Sequence, residues 1–327
     1  MNILISLFPV ILFLFFLVYL DSFKLVKKTA IFSCFLWGLL SAAAAYFINN
    51  YLLDLLKLEI PVYSRYISPW LEEILKASFL FVIIYKGKTG FMIDSAILGF
   101  AIGTGFAFME NIYYLNALQT DNLAVWIVRG FGTAVMHGGT TAVFGIMAIQ
   151  TQDKIKLKNL LFGYLLAVLI HGLYNQFFIL PVVSALAIFF ALPIIIISIF
   201  QQNENSLKKW LEIEFDTEVQ IIKMIKDGMF AETKIGKYVL SIKSRFTAEV
   251  VLDMLCYIRI YIELSIRAKS NLLLKESGFP VKKDPEISEK LKELNFLQRN
   301  IGKTGILAIS PILRMNKKDV WKLNQLT

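Results

Sequence analysis

Charged residues are scarce in the first 200 residues of this 327-residue chain and are concentrated in its last third. The first 200 residues contain 12 Lys or Arg and 9 Asp or Glu, whereas residues 201–327 contain 22 and 16. Apolar residues make up 57% of the chain, more than most soluble domains contain. This pattern excludes an ordinary soluble fold for the first part and predicts two regions, a membrane bundle at 1–200 and a basic helical tail at 201–327.

Cysteine is also nearly absent, since only Cys34 and Cys256 occur and no CxxC motif is present. A disulfide framework and a cysteine-based zinc site are therefore excluded. The net charge of +9 does not predict nucleic-acid binding, because Lys and Glu alternate in the tail and no basic stripe with spaced aromatics occurs. We expect the basic tail to lie near the anionic surface of the lipid bilayer.

Long apolar segments fill the first 200 residues. A helix needs about 20 apolar residues to cross the bilayer core, so the sequence predicts an all-α, polytopic membrane helix bundle of about seven spans. The predicted spans are Ile3–Leu20, Thr29–Ile48, Pro69–Tyr85, Phe91–Leu115, Ala124–Ile149, Leu157–Leu180 and Val182–Phe200. The first lacks a positive n-region and a small-residue cleavage site, which favours a retained span over a signal peptide. Ser68 and Pro69 are typical of a helix N-cap and first helical position.

The loops between the spans differ in positive charge. The loops after the first, third and fifth spans contain eight Lys or Arg, and those after the second, fourth and sixth contain two. Positively charged loops stay in the cytoplasm. We therefore expect a multi-pass protein of the cell membrane with its N-terminus outside and its tail in the cytoplasm.

The tail has apolar residues at helical spacing over residues 206–225 and 247–278, and again from about Glu286 to Arg299. The prolines of "GFPVKKDP" predict a break before the last helix. The letters "IGKTG" lack the spacing of a phosphate-binding loop, so we interpret them as a turn.

Eight polar residues interrupt the predicted spans at positions where charge is costly. They are Glu72, Glu73 and Lys76 in the third span, Glu110 in the fourth, Arg129 and His137 in the fifth, and His171 and Asn175 in the sixth. An ionisable residue at the bilayer centre costs roughly 2.5–3.5 kcal/mol, and such residues usually face a bundle interior and serve function.

The types of these residues are compatible with several roles. Lys76 lies three and four residues after the two glutamates, so it can pair with either, but one lysine cannot compensate both. A remaining carboxylate can act as a general base. Two histidines and a glutamate can also hold a metal such as zinc with an open position for water, or bind water without a metal. Core hydrogen bonding or a proton relay would use the same residues.

These residues lie at unequal distances from the predicted outer ends of their helices. At 1.5 Å per residue, Glu72 is about 5 Å from the end, Glu110 about 8 Å, His171 about 14 Å and His137 about 20 Å. Helix tilt can close part of this gap. We expect the four to lie in the outer half of the bilayer or near its midplane.

Four motifs in order resemble the PrsW family of intramembrane proteases. They are Glu72-Glu73-x-x-Lys76, Phe106-x-x-x-Glu110-Asn111, His137-Gly138 and His171-x-x-x-Asn175. The series is also similar, more distantly, to that of type II CAAX prenyl proteases, whose second motif ends in His instead of Glu. The motifs span residues 72–175 and lie on successive predicted helices.

The resemblance implies hydrolysis of a peptide bond in a membrane-anchored protein substrate such as an anti-sigma factor, that is, regulated intramembrane proteolysis. It implies Glu72 as the general base, with Glu73 as its support or as the alternate base, and Asn175 as an oxyanion donor. Lys76 and Arg129 would support the site. Glu110, His137 and His171 would hold a divalent metal, zinc by the ligand types, or orient the water.

Two other functions stay open at this point. A scaffold or immunity protein without catalytic activity could have the same fold and retain the same residues. A proton-coupled transporter would also place Glu, Arg and His within the membrane, although we find neither the inverted repeats nor the broken helices typical of that class.

Overall fold

The computed structural model describes residues 2–21, 25–118, 120–149, 157–281 and 284–310, with residues 313, 323 and 326. The side chains of residues 193, 200, 202–217 and 234–235 are not described. Every regular element in the described ranges is a helix, which confirms the all-α prediction. The chain forms two compact units, Met1–Asn203 and Glu204–Thr327. The predicted functions of the two regions remain predictions.

The structure describes nine helices that lie in the first unit or begin there. They are α1 (Asn2–Tyr19), α2 (Lys28–Leu56), α3 (Ile60–Tyr66), α4 (Ser68–Tyr85), α5 (Met92–Ala117), α6 (Leu123–Ile127), α7 (Ala134–Ile149), α8 (Leu157–Gln176) and α9 (Pro181–Lys226). A π-helical turn, Val128–Thr133, joins α6 to α7.

Among the described residues, six helical stretches are long and apolar enough to cross a membrane. They are α1, α2, α5, α6 to α7 taken together, α8 and the first part of α9, Pro181–Ile199. The third predicted span, Pro69–Tyr85, corresponds to α4, which has 18 residues and is not among these six. It contains Glu72, Glu73 and Lys76, and these three charges are what set it apart from the apolar helices.

Helix α5 lies at the centre of the first unit. In its most apolar window 83% of the residues are buried, and the α6–α7 stretch reaches 78%. The glycines of α5 explain the close contact between α5 and α7. A Cβ atom on Gly99 or Gly103 would collide with the α7 backbone, at Thr141 and at His137 respectively. Small residues let two helices approach in this way, and here they bring α7 and His137 against α5.

Several boundaries differ from the sequence predictions. Helix α9 continues past the predicted end at Phe200 to Lys226. Helix α2 continues to Leu56, eight residues past the predicted end at Ile48, and Asn49 in this extension makes hydrogen bonds to residues of α3 and α4. The sixth span ends at Gln176, where Phe177 has a left-handed φ of 47°. The predicted fifth span is divided by the π turn, a feature that sequence periodicity does not predict.

The second unit contains the rest of α9 and three further helices, α10 (Lys234–Ile242), α11 (Ala248–Glu276) and α12 (Pro285–Ile309). Apolar residues of α11 and α12, among them Ile258 and Leu297, form its core. The predicted turn at "IGKTG" coincides with an interruption of α12, because two helical segments meet at Gly302, whose φ of 72° and ψ of 173° are not helical.

Candidate active site

Glu72 lies one turn into α4 and has its two carboxylate oxygens in different surroundings. Oε1 accepts hydrogen bonds from the Ser68 hydroxyl and, at 3.3 Å, from the Asn49 amide. Oε2 makes no hydrogen bond within the described part of the chain and lies 3.9 Å from His171 Nε2. The prediction that Ser68 is the N-cap is wrong. Ile67 takes that position, which leaves the Ser68 side chain for Glu72.

Glu73, by contrast, is held on one oxygen by three donors. Its Oε1 lies 2.6 Å from Lys76 Nζ, 2.8 Å from His171 Nδ1 and 3.2 Å from Thr140 Oγ1. The side chain is buried. A carboxylate bound this fully orients its neighbours, in the way that buried carboxylates orient metal-binding histidines, and is poorly placed to accept a proton from water.

Lys76 is fully buried and links α4 to α7. Besides its ion pair with Glu73, its Nζ lies 3.0 Å from His137 Nδ1 and 4.8 Å from the centre of the Phe106 ring. A buried ammonium group is tolerated only when it is paired. The Glu73 ion pair and the Phe106 ring satisfy this requirement.

The two histidines meet edge to face with their ring centres 4.8 Å apart. His137 uses both nitrogens, because Lys76 occupies Nδ1 and Glu110 Oε2 lies 3.1 Å from Nε2. His171 donates from Nδ1 to Glu73, so its Nε2 lone pair points to the side of Glu72. Both imidazoles are buried, and each ring orientation is fixed by a contact on a different helix.

Arg129 anchors the carboxylate of Glu110. Its Nη2 lies 3.3 Å from Glu110 Oε1, its Nε donates to Asn111 Oδ1 at 2.9 Å, and its guanidinium stacks 3.7 Å from the centre of the Tyr114 ring. Arg129 lies in the π turn, and π turns often occur at functional sites. The guanidinium therefore neutralises Glu110 and fixes it beside His137.

Asn175 lies apart from this cluster. Its Nδ2 donates at 3.0 Å to the backbone carbonyl of Ser64 in α3. Its predicted role as an oxyanion donor stays a prediction, since that amide is engaged with α3 in this structure.

The cluster joins residues that lie at different distances from their helix ends. His137 is fourteen residues from the start of α6, yet it contacts Glu110, seven residues from the end of α5. Counting residues from the helix ends therefore does not show which side chains meet. Four helices, α4, α5, α7 and α8, supply the side chains.

A metal ion would fit three of these residues. One donor atom each from Glu72, His137 and His171 lies within 4.8 Å of the others, and one carboxylate with two imidazoles is a donor set that zinc takes in hydrolases. The set contains Glu72 in place of Glu110, the ligand predicted from the sequence. Glu110 lies 3.1 Å from His137 Nε2 and is paired with Arg129, and its predicted role as a metal ligand stays a prediction. Binding at His137 would replace one of its two present contacts.

A cleft of about 720 Å³ leads to the cluster. Helices α2, α3 and α5 line it with mostly apolar residues, including the small side chains of Ala42 and Ala45. Glu72, Glu110 and Asn49 supply polar groups in its wall. An apolar cleft with a few convergent polar groups is the usual form of a binding site.

Sequence reasoning missed four residues around the glutamates, namely Asn49, Tyr63, Ser68 and Thr140. Thr140 has a signal in the sequence, because it follows His137 by three residues and therefore lies on the same helix face. Asn49 falls one residue outside the predicted second span, and Tyr63 lies in a connection between spans. Neither gives a signal at sequence level.

The fold and the cluster define a class, a polytopic α-helical membrane protein with a buried Glu–His site. The family model described as PrsW family intramembrane metalloprotease matches residues 27–200, more than half of the chain. The chain therefore belongs to the PrsW family, as the motifs indicated, and is a multi-pass membrane protein.

A curated relative supports this membership. A protein named Protease PrsW from Oceanobacillus iheyensis is 31% identical over 150 residues, which cover 42% of this chain and 66% of that protein. The match therefore spans slightly less than two thirds of the relative's length. No solved structure matches the chain.

Proposed function

We propose that this protein is an intramembrane protease that hydrolyses a peptide bond of a membrane-anchored protein, with Glu72 as the general base. The observation that carries the proposal is the asymmetry of the Glu72 carboxylate. Oε1 is anchored by Ser68 and Asn49, while Oε2 has no hydrogen-bond partner among the described residues and lies 3.9 Å from His171 Nε2. Family membership supports the same reaction class.

The hydrolysis follows from this geometry. A water that donates to Glu72 Oε2 loses that proton as its oxygen attacks the carbonyl carbon of the scissile bond. The C–N bond then breaks, and the proton held by Glu72 passes to the leaving nitrogen. His171 keeps its orientation throughout, because Glu73 holds its Nδ1 hydrogen.

A divalent metal fits the donor set of Glu72, His137 and His171, and because Glu72 would bind it through the free Oε2, the role of Glu72 as proton acceptor applies to the site without the metal. When bound there it would polarise the substrate carbonyl and acidify water. This chain's own residues supply the rest. Lys76 neutralises Glu73, and Arg129 neutralises Glu110, so both anions are compensated before substrate enters.

The oxyanion needs a donor as the carbonyl becomes tetrahedral. We propose Asn175 for this role, as the family motif implies, with the requirement that its amide leaves the Ser64 carbonyl when substrate is bound.

The substrate reaches the site through the cleft beside α2. Its apolar walls suit a segment of a membrane-spanning helix, and its polar end suits the exposed peptide bond of an unwound segment. We further propose that the N-terminus lies outside the cell, that the tail is cytoplasmic, and that the substrate is an anti-sigma factor or a protein of similar single-span form.

The test is cleavage of single-span substrates by the purified protein in proteoliposomes. Glu72→Gln keeps the size of the side chain and removes the base, so we expect cleavage to fall by about 10²–10⁴-fold. Glu59→Gln is the matched control, because Glu59 is exposed and precedes α3. Cleavage by Glu72→Gln at the rate of the control would refute the proposal.

The same liposomes separate the two rival functions. A transporter would carry protons in the absence of any cleavage. A scaffold would show neither proton flux nor cleavage.

A further inference from the structure

A chain of hydrogen bonds from three helices converges on the anchored oxygen of Glu72. The Tyr63 hydroxyl donates to Asn49 Oδ1 at 2.9 Å. The Asn49 amide donates to Ser68 Oγ at 3.2 Å and to Glu72 Oε1 at 3.3 Å. The Ser68 hydroxyl in turn donates to the same Oε1. Helices α2, α3 and α4 are thus joined at one carboxylate oxygen.

We propose that Asn49, held by Tyr63 and Ser68, is a positioning residue that fixes the rotation of the Glu72 carboxylate. This inference rests on the proposed role of Glu72 as the base. The side-chain oxygen and nitrogen of Asn49 both make hydrogen bonds within the network, so Asn49 connects the three other residues. It acts on substrate through Glu72 alone.

The geometry explains why such a residue is needed. A carboxylate rotates readily about its last torsion, since that torsion is broad. Two donors on Oε1 restrict this rotation, and Oε2 is then kept toward His171. Without them the carboxylate samples intermediate torsion angles, at which neither oxygen is directed toward His171.

Helix α3 acts as the fixed support of the network. It has seven residues, Ile60–Tyr66, and Tyr63 is its one buried side chain. On its other side the Ser64 carbonyl accepts from Asn175 of α8. The position of Tyr63 is therefore set from both α2 and α8, and with it the position of Asn49.

Two exposed residues offer matched controls. Asn116 of α5 is exposed, and its amide donates to the Ile112 carbonyl of its own helix. Tyr66 lies in α3 and is exposed. Asn49→Ala is therefore compared with Asn116→Ala, and Tyr63→Phe with Tyr66→Phe.

The experiment measures kcat and KM separately for single-span substrate in proteoliposomes. Loss of an outer support typically costs 10–100-fold in activity, so we expect Asn49→Ala to lower kcat by about 10–100-fold with KM changed less than twofold. Tyr63→Phe, which removes only the hydroxyl, should give a smaller loss in kcat of the same kind. Both controls should retain wild-type values.

Ser68 supplies a rescue test. Ser68→Ala should lower kcat, and Ser68→Thr, which keeps the hydroxyl, should restore most of it. A merely structural role would lower the melting temperature and the activity together, and Ser68→Thr would not restore kcat.

The results separate this inference from the proposed function. Loss of activity in Glu72→Gln together with wild-type kcat in Asn49→Ala and Tyr63→Phe would overturn the positioning role alone. A rise in KM at constant kcat would also overturn it, because Asn49 would then contact substrate. Full activity in Glu72→Gln would instead overturn the proposed function.

Discussion

Replacing Lys76 by methionine tests the buried ion pair at the centre of the cluster. Lys76 is fully buried, and its ammonium lies 2.6 Å from Glu73 Oε1 and 3.0 Å from His137 Nδ1. Methionine has nearly the same length and no charge. The variant therefore removes one partner of a buried ion pair while keeping most of the packing.

The loss of stability in Lys76→Met depends on the hydrogen bonds that Glu73 keeps. Removing one partner of a buried pair costs about 3–5 kcal/mol, because the other charge stays buried. Glu73 keeps His171 and Thr140 as donors, so we expect a loss of unfolding free energy near the lower limit, about 3 kcal/mol.

The double variant Lys76→Met with Glu73→Gln removes both charges at once. It should recover most of the loss in stability, since no uncompensated charge remains. Cleavage should still be reduced by about 10–100-fold, because His171 and His137 have each lost a charged partner that sets their orientation.

The assay is reversible unfolding of the purified protein in detergent, with cleavage measured on the same samples. Lys86→Met is the control, because Lys86 is exposed just after the end of α4. Lys76→Met no less stable than this control, or a double variant less stable than either single, would refute the reasoning.

Three other predictions concern packing, the tail and the metal. Gly103→Ala should destabilise the protein by about 1–3 kcal/mol, because the added Cβ collides with the α7 backbone. Gly172→Ala, whose Cβ meets nothing nearer than 3.5 Å, should be neutral or slightly stabilising. Unfolding in detergent compares the two variants. Partial burial raises the pKa of the Glu263 carboxyl, but hydrogen bonds from Lys290 and a nearby arginine outweigh this and hold the pKa below its usual value of 4.5. Ionised Glu263 therefore stabilises the tail above that pH, and the difference in melting temperature between wild type and Lys290→Gln should shrink as the pH falls below 4.5; a constant difference would contradict this. Elemental analysis of the purified protein should find a divalent metal in wild type and much less in His171→Ala, and equal contents would contradict the ligand assignment.

The sequence predicted the membrane-spanning helices and one contact within a helix. Apolar length predicted the spans, and the spacing of Lys76 after Glu72 and Glu73 predicted an ion pair with one of them, which forms with Glu73. Gly99 and Gly103 are four residues apart and therefore lie on one face of α5, and the structure has α7 packed closely against that face. These features depend on local periodicity, which a sequence displays directly.

Contacts between helices could not be predicted from the sequence in the same way. Whether Glu72 or Glu110 joins the two histidines depends on the relative heights of four helices, and those heights depend on where each helix begins. Asn49 enters the site because α2 continues past Ile48, and Tyr63 enters it because a connection forms the short helix α3. Periodicity of the apolar residues carries no information on either point.

The most direct measurement of the central claim is a double-mutant cycle on the rate of cleavage with Glu72→Gln, His171→Ala and the two combined. Residues that act together on one water lose their effects together, so their losses do not add. We predict that each single change lowers the rate by at least about 10²-fold and that the double variant is no slower than the slower single. Losses that multiply in the double variant, or a single variant with wild-type rate, would contradict a shared site.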